Sequence, residues 1–165
     1  MGSGKSKTAE ALSKLLKYQS FDLDVLISQQ VGKSISTIFA ESGEDYFRLL
    51  EKEALHKTAE VSSSVIATGG GTPCFFDNMD WMNQHGITIY LQANAGLLFH
   101  RLSASKQGRP LIENLGDIEL MEQISGHLAV RSKYYTQSMI TMNAVSLNVK
   151  ILAEEIISFV KSKSS

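Results

Sequence analysis

Residues 2–6 read Gly2-Ser3-Gly4-Lys5-Ser6, and the helix-forming run Thr8-Ala9-Glu10-Ala11-Leu12 follows almost at once. This is the second half of the pattern Gly-x-x-x-x-Gly-Lys-Ser/Thr. In that loop backbone N–H groups cradle phosphates at a helix N-terminus, the Lys reaches the β- and γ-phosphates, and the hydroxyl ligands Mg2+. Only Met1 precedes Gly2, so the first half of the pattern and the buried strand that feeds it are absent. Gly-Ser-Gly behind a start Met also fits an expression scar. The order of the segments that follow decides between the two.

Apolar Ala11, Leu12, Leu15 and Leu16 recur at helical spacing, so a helix is expected over Thr8 to Leu16. A short strand from Tyr18 to Phe21 ends at Asp22, and Val25 to Val31 reads as helix. Ser34 is placed to cap a helix through Ile35, Ile38 and Phe39 that Gly43 closes, and Glu44 to Ala59 continues helical. Val65-Ile66-Ala67-Thr68 reads as a buried strand running into Gly69-Gly70-Gly71, which a tight backbone turn explains. Helix (76–84), strand (87–91) and helix (95–102) come next. Residues 103–117 then break the pattern with Lys106, Gly108, Arg109, Pro110 and Gly116, a stretch long enough for a functional lid. A helix over Ile118 to Tyr134, a strand at Met139 to Met142 and an amphipathic helix over Val149 to Val160 complete the chain.

Short apolar strands alternating with helices predict an α/β fold of three layers, α/β/α, around a parallel sheet covered on both faces. Ligands of such sheets bind at the carboxyl ends of the strands. Asp22, Asp24, the glycines at 69–71 and the loop after Leu91 all sit there.

The 165 residues fit a single domain, with substrate-binding helices over about 24–59 and a lid over about 103–117. A net charge of −1 gives no general attraction to nucleic acid or an anionic membrane, so anion recognition falls to a few placed cations. Cys74, the one cysteine, excludes an internal disulfide and makes a reducing, cytoplasmic location the expectation. Lying after Pro73 with no His or Lys near it in sequence, Cys74 reads as an inert small hydrophobe. His56, His85, His100 and His127 lack zinc-ligand spacing.

Taken in order, the chain resembles shikimate kinase. The residues that carry the resemblance are Gly2 to Ser6, Asp22-Leu23-Asp24, Ile38-Phe39-Ala40-Glu41 with Gly43-Glu44 and Phe47-Arg48, Thr68 to Gly71, Arg109-Pro110-Leu111, and Arg131 with Tyr134-Tyr135. A tag would not be followed by the matching helix at the right distance from Asp22, so the scar reading falls. The resemblance implies a P-loop kinase that moves the γ-phosphoryl of MgATP to the 3-hydroxyl of shikimate. It implies ATP contacts from Gly2, Ser3, Gly4, Lys5, Ser6, Lys7, Arg101 and Arg109, with Ser6 and Asp22 in the Mg2+ shell. Asp24, Phe47, Arg48, Gly69, Gly70, Gly71 and Arg131 would receive shikimate. Lys5, Asp24 and Arg109 would be the catalytic groups, Asp24 accepting the proton of the attacking hydroxyl and Arg109 closing over the γ-phosphate. Arg48 and Arg131 would clamp the shikimate carboxylate, a shape that a guanidinium matches bidentately.

Each residue also has a plainer reading. Asp24 could cap the helix that follows it, Phe47 could be ordinary core, Gly69 to Gly71 a bare turn, and the arginines solvated. A monomer with no nucleic-acid or membrane partner is expected. Two alternatives stay open: another small-molecule P-loop kinase such as a gluconate kinase, because fold and loop do not fix the acceptor, and a non-catalytic binding module.

Two departures from the family pattern stand out. Lys7 replaces the usual Thr or Ser, which predicts altered nucleotide affinity. The absent first strand belongs in the middle of the sheet, so its neighbours are expected to keep unpaired backbone groups and an open core. The chain as given is therefore expected to be a trimmed or mis-started form of a longer protein.

Overall fold

The computed structural model describes residues 2–104 and 115–163. The elements are α1 (Lys5–Leu16), β1 (Gln19–Asp22), α2 (Leu23–Val31), α3 (Ile35–Lys57), β2 (Ser64–Ala67), α4 (Asn78–His85), β3 (Ile89–Gln92), α5 (Ala95–Ser103), α6 (Asp117–Tyr135), β4 (Ile140–Asn143) and α7 (Val149–Lys163). Helices and strands alternate as the sequence predicts.

Local chemistry sets the boundaries. Ser34 caps α3 by accepting a hydrogen bond from the Thr37 N–H, and Asn94 caps α5 through the Leu97 N–H. Gly43, at φ 79° and ψ 176°, breaks α3 into two segments, which is the division expected there. Several boundaries differ from expectation by a few residues. Strand β1 starts at Gln19 because Lys17 takes a left-handed conformation and the Tyr18 N–H turns back to the Ser13 carbonyl. Helix α4 starts at Asn78 rather than Phe76, whose φ of 51° is not helical. The cap of α2 is Asp22, whose carboxylate accepts the Asp24 N–H at 3.0 Å, so the capping role considered for Asp24 belongs to its neighbour.

All the pairing among the described strands is parallel. Phe21 lies opposite Ile66 in the β1–β2 pair, and Leu91 lies opposite Met142 in the β3–β4 pair. These are two two-stranded sheets rather than one continuous sheet. Val65 and Ile66 of β2 and Ile89, Tyr90 and Leu91 of β3 line a single cavity of about 1340 Å3, which no residue of β1 or β4 lines. The cavity therefore lies between the pairs, where the central strand was expected to be missing. Both inner strands keep partly exposed residues, whereas inner strands of a covered parallel sheet are normally buried on both faces.

Three apolar clusters hold helices to the strands. Leu12, Ile140, Leu152 and Ala153 join α1, β4 and α7, with Val65 packed against them. Leu23, Ile27, Ile38, Phe47, Leu50, Ala54 and Leu55 join α2 and α3, with Ile66 packed against them. Since neighbouring strand residues point to opposite faces, Val65 and Ile66 show that these clusters cover opposite faces of β2. A third cluster seats α5 and α6 against Leu91 of β3. The layers are thus α/β/α.

Candidate functional site

The loop before α1 is shaped by two glycines with positive φ, Gly2 at 79° and Gly4 at 96°. No side chain caps α1, so its first N–H groups and the positive end of its dipole are open to an anion. Arg101 on α5 supports the loop from beneath, donating from Nη1 to the Ser3 and Gly2 carbonyls at 3.0 and 3.3 Å. Its Nη2 donates to the Ala144 carbonyl at 3.0 Å. The guanidinium expected to contact ATP braces the phosphate loop in this structure. Lys7 is exposed.

Ser6 in the first turn of α1 donates its hydroxyl to Asp22 Oδ2 at 2.7 Å. The oxygen of the loop Ser and a carboxylate oxygen at the end of β1 are thereby side by side. Two hard oxygens that leave most of the shell to water suit Mg2+. Among the described residues no group of three or more His, Cys, Asp or Glu side chains gathers for a softer metal.

Asp24, in the first turn of α2, lines the cavity with Lys5, Arg48, Arg131 and the glycines at 69–71. Asp24 keeps an edge exposed to solvent, yet the protein around it removes enough water to raise its pKa above the ordinary carboxylate value. The charges of Asp22 and Glu51 push the same way, and Lys5 and Arg48 offset part of it. Desolvation likewise lowers the Lys5 pKa, against the attraction of Asp24 and Asp22.

Arg48 is nearly buried on α3. Its Nη1 donates to Glu51 Oε2 at 2.7 Å, and its Nη2 and Nε donate to Glu44 Oε1 at 2.7 and 3.1 Å. The guanidinium carbon lies 4.1 Å from the Phe75 ring centroid and 5.2 Å from that of Phe47. Phe47 is buried and its ring centroid is 4.6 Å from that of Phe39, so it is core and pocket wall together. Glu51 also accepts the Thr72 hydroxyl at 2.6 Å, which ties α3 to the turn after β2.

That turn is crowded. A Cβ on Gly69 would lie 2.6 Å from Glu51 Oε1, and one on Gly71 would lie 2.7 Å from Arg48 Nη2. Tyr135 at the end of α6 donates its hydroxyl to the Gly70 carbonyl at 2.6 Å. Arg131, one turn earlier on α6, is near enough to act on the charges of both Lys5 and Tyr135.

The structure thus brings Lys5, Asp24, Phe47, Arg48, Gly69, Gly70, Gly71 and Arg131 to one cavity, with Ser6 and Asp22 at its loop end. Arg109 lies outside the described residues, as does most of the expected lid. Sequence reasoning missed Glu51, Thr72, Phe75 and the bond from Tyr135 to Gly70. The readable sign for Glu51 is an acid three residues after Arg48 on an otherwise apolar helix face. Cys74 lies near Arg131 and Arg48, yet burial outweighs them and raises its thiol pKa, which fits an inert role. No described helix is long and apolar enough to cross a membrane.

Comparisons with known proteins point to one family. The shikimate kinase family profile matches residues 1–161. A shikimate kinase of Phocaeicola vulgatus is 41% identical over 150 residues, covering 91% of this chain and 86% of that one. The crystal structure of shikimate kinase from Bacteroides thetaiotaomicron superposes with a TM-score of 0.89 at 37% identity, over 98% of this chain and 94% of that one. Shikimate kinase from Acinetobacter baumannii in complex with shikimate gives a TM-score of 0.85 at 27% identity, over 99% and 89%. With the phosphate loop, the paired acids and the two arginines arranged as above, the chain belongs to the shikimate kinase family.

Proposed function

We propose that this chain transfers the γ-phosphoryl group of ATP to the 3-hydroxyl of shikimate, giving shikimate 3-phosphate and ADP. The observation that carries the reading is the single cavity on which the loop Lys5, the carboxylate Asp24 and the guanidiniums Arg48 and Arg131 converge. Gly2 to Ser6 and the open end of α1 receive the phosphates. Lys5 neutralises charge on the β- and γ-oxygens, whose negative charge offsets the burial that lowers its pKa. Ser6 and Asp22 would hold Mg2+, whose chemistry is to neutralise charge as the phosphoryl group moves.

Arg48 and Arg131 orient the acceptor through its carboxylate, and Phe47 walls the ring. Asp24 holds the reacting hydroxyl. Its raised pKa makes it a stronger base than an ordinary carboxylate, suited to take the hydroxyl proton as the oxygen–phosphorus bond forms and the bond to ADP breaks. Arg109, carried on the lid, would close over the γ-phosphate and help exclude water. We assign the protein as a monomeric cytoplasmic enzyme.

The test is ADP release from MgATP with and without shikimate, with gluconate as a second acceptor. Release with shikimate that Asp24→Asn slows by orders of magnitude supports the reading. Release with gluconate alone identifies a different kinase. Shikimate binding without nucleotide binding identifies a non-catalytic module.

A further inference from the structure

One fork of Arg48 is already occupied. Glu44 Oε1 accepts from both Nε, at 3.1 Å, and Nη2, at 2.7 Å, which is an edge through which a guanidinium can grip a carboxylate. Glu51 holds Nη1 on another side. Two carboxylates thus share one positive charge, and together they oppose the approach of a third anion.

The two acids are held very differently. The Glu51 side chain is 1% exposed and also bonded to Thr72, whereas the Glu44 side chain is 53% exposed. Releasing Glu51 would bury an unpaired charge, but water can replace the partner of Glu44. The backbone favours the same exchange. Gly43, with its left-handed φ of 79°, interrupts α3 directly before Glu44, and nothing lies within 4 Å of where its Cβ would be. Burial holds the His127 pKa on α6 below its ordinary value, and the Glu44 charge, near enough to act on it, offsets part of that, so a released carboxylate has a polar neighbour.

We propose that Glu44 is a placeholder for the carboxylate of the substrate: it occupies the side-on fork of Arg48 until the incoming carboxylate displaces it. This rests on the functional reading above. Glu44 then sets specificity, since an acceptor without a negative charge has nothing with which to compete for Arg48. Glu51 stays in place throughout and keeps the guanidinium aimed.

Calorimetric titration of shikimate and of its uncharged methyl ester into the wild-type protein, Glu44→Gln and Glu44→Asp tests this. Gln removes the charge, and Asp is one methylene too short to reach the fork. Both variants are expected to bind shikimate about two- to fivefold more tightly, the range of one weak exposed ion pair, with no gain for the ester. Unchanged or weaker shikimate binding in the folded variants overturns the proposal and makes Glu44 a support for Arg48. An equal gain for the ester also overturns it. A wild-type protein that binds no shikimate overturns the functional reading itself, so the two failures are distinguishable.

Discussion

Arg48 Nη1 and Glu51 Oε2 meet at 2.7 Å with side chains only 8% and 1% exposed. A buried ion pair of this kind adds little net stability, because desolvation offsets the attraction, but removing one partner leaves the other charge stranded. Glu51→Ala strands Arg48 against its single remaining acid and also frees the Thr72 hydroxyl. A loss of about 3–5 kcal/mol is expected in chemical denaturation. A loss below about 1 kcal/mol, the range of an exposed pair, would mean that the pair is open to water.

The raised pKa of Asp24 links activity to stability. Partial desolvation of a side chain that still touches solvent is its first cause, and the folded state therefore disfavours the charged form. The sign follows: this cost to stability is fully present above the folded pKa and disappears as pH falls and Asp24 is protonated. Asp24→Asn should slow phosphoryl transfer about 10^2- to 10^4-fold while raising the melting temperature near neutral pH. The gain should shrink in acid. Melting curves of both proteins across pH, beside turnover rates, check the two halves together, and a variant less stable at every pH would contradict the assignment.

Gly71 adopts φ −89° and ψ −22°, a backbone conformation open to any residue, so its constraint is purely steric. The Cβ of Gly71→Ala would lie 2.7 to 2.9 Å from three atoms of the Arg48 guanidinium, which must shift. A displacement approaching 1 Å costs on the order of 10^2-fold in a positioned reaction. Steady-state kinetics should show the loss chiefly in the KM for shikimate, with the KM for ATP little changed.

The gap between β2 and β3 predicts a gain from added chain. A strand of roughly six to eight apolar residues joined ahead of Met1 would lie parallel to both edges and pair their free backbone groups. At about 0.5–1.5 kcal/mol per hydrogen bond, several bonds should raise the melting temperature by on the order of 10 °C. Amide exchange at Val65 to Ala67 and at Tyr90 and Leu91 should slow. The same segment with a central Pro should give less, and an unchanged melting temperature would show that the slot does not admit a strand.

The brace under the phosphate loop carries its own expectation. Arg101→Lys cannot span the Ser3, Gly2 and Ala144 carbonyls that the guanidinium holds together. The KM for ATP should rise by about tenfold, the order of two lost hydrogen bonds of about 0.5–1.5 kcal/mol each, with shikimate affinity retained in a binding assay. Equal loss of both affinities would point to a general defect in folding.

Much of the site was legible because its parts are local. Gly2 to Ser6 states the phosphate loop in five residues, Asp22 and Asp24 lie two apart beside it, and the glycines at 69–71 follow an apolar strand directly. The alternation of apolar periods also located every α-helix and strand among the described residues to within a few residues, because periods of 3.6 and 2 are written in the chain itself. What tertiary structure decided depends on partners remote in sequence. Arg101 turned to the loop carbonyls because α5 passes beneath them, Tyr135 found Gly70 because α6 ends at that turn, and Glu51 became a buried anchor because α3 packs its acid against Thr72. The division of the sheet is of the same kind. Each strand is specified by its own apolar run, but whether two strands pair depends on how closely their edges approach, and a cavity separates β2 from β3.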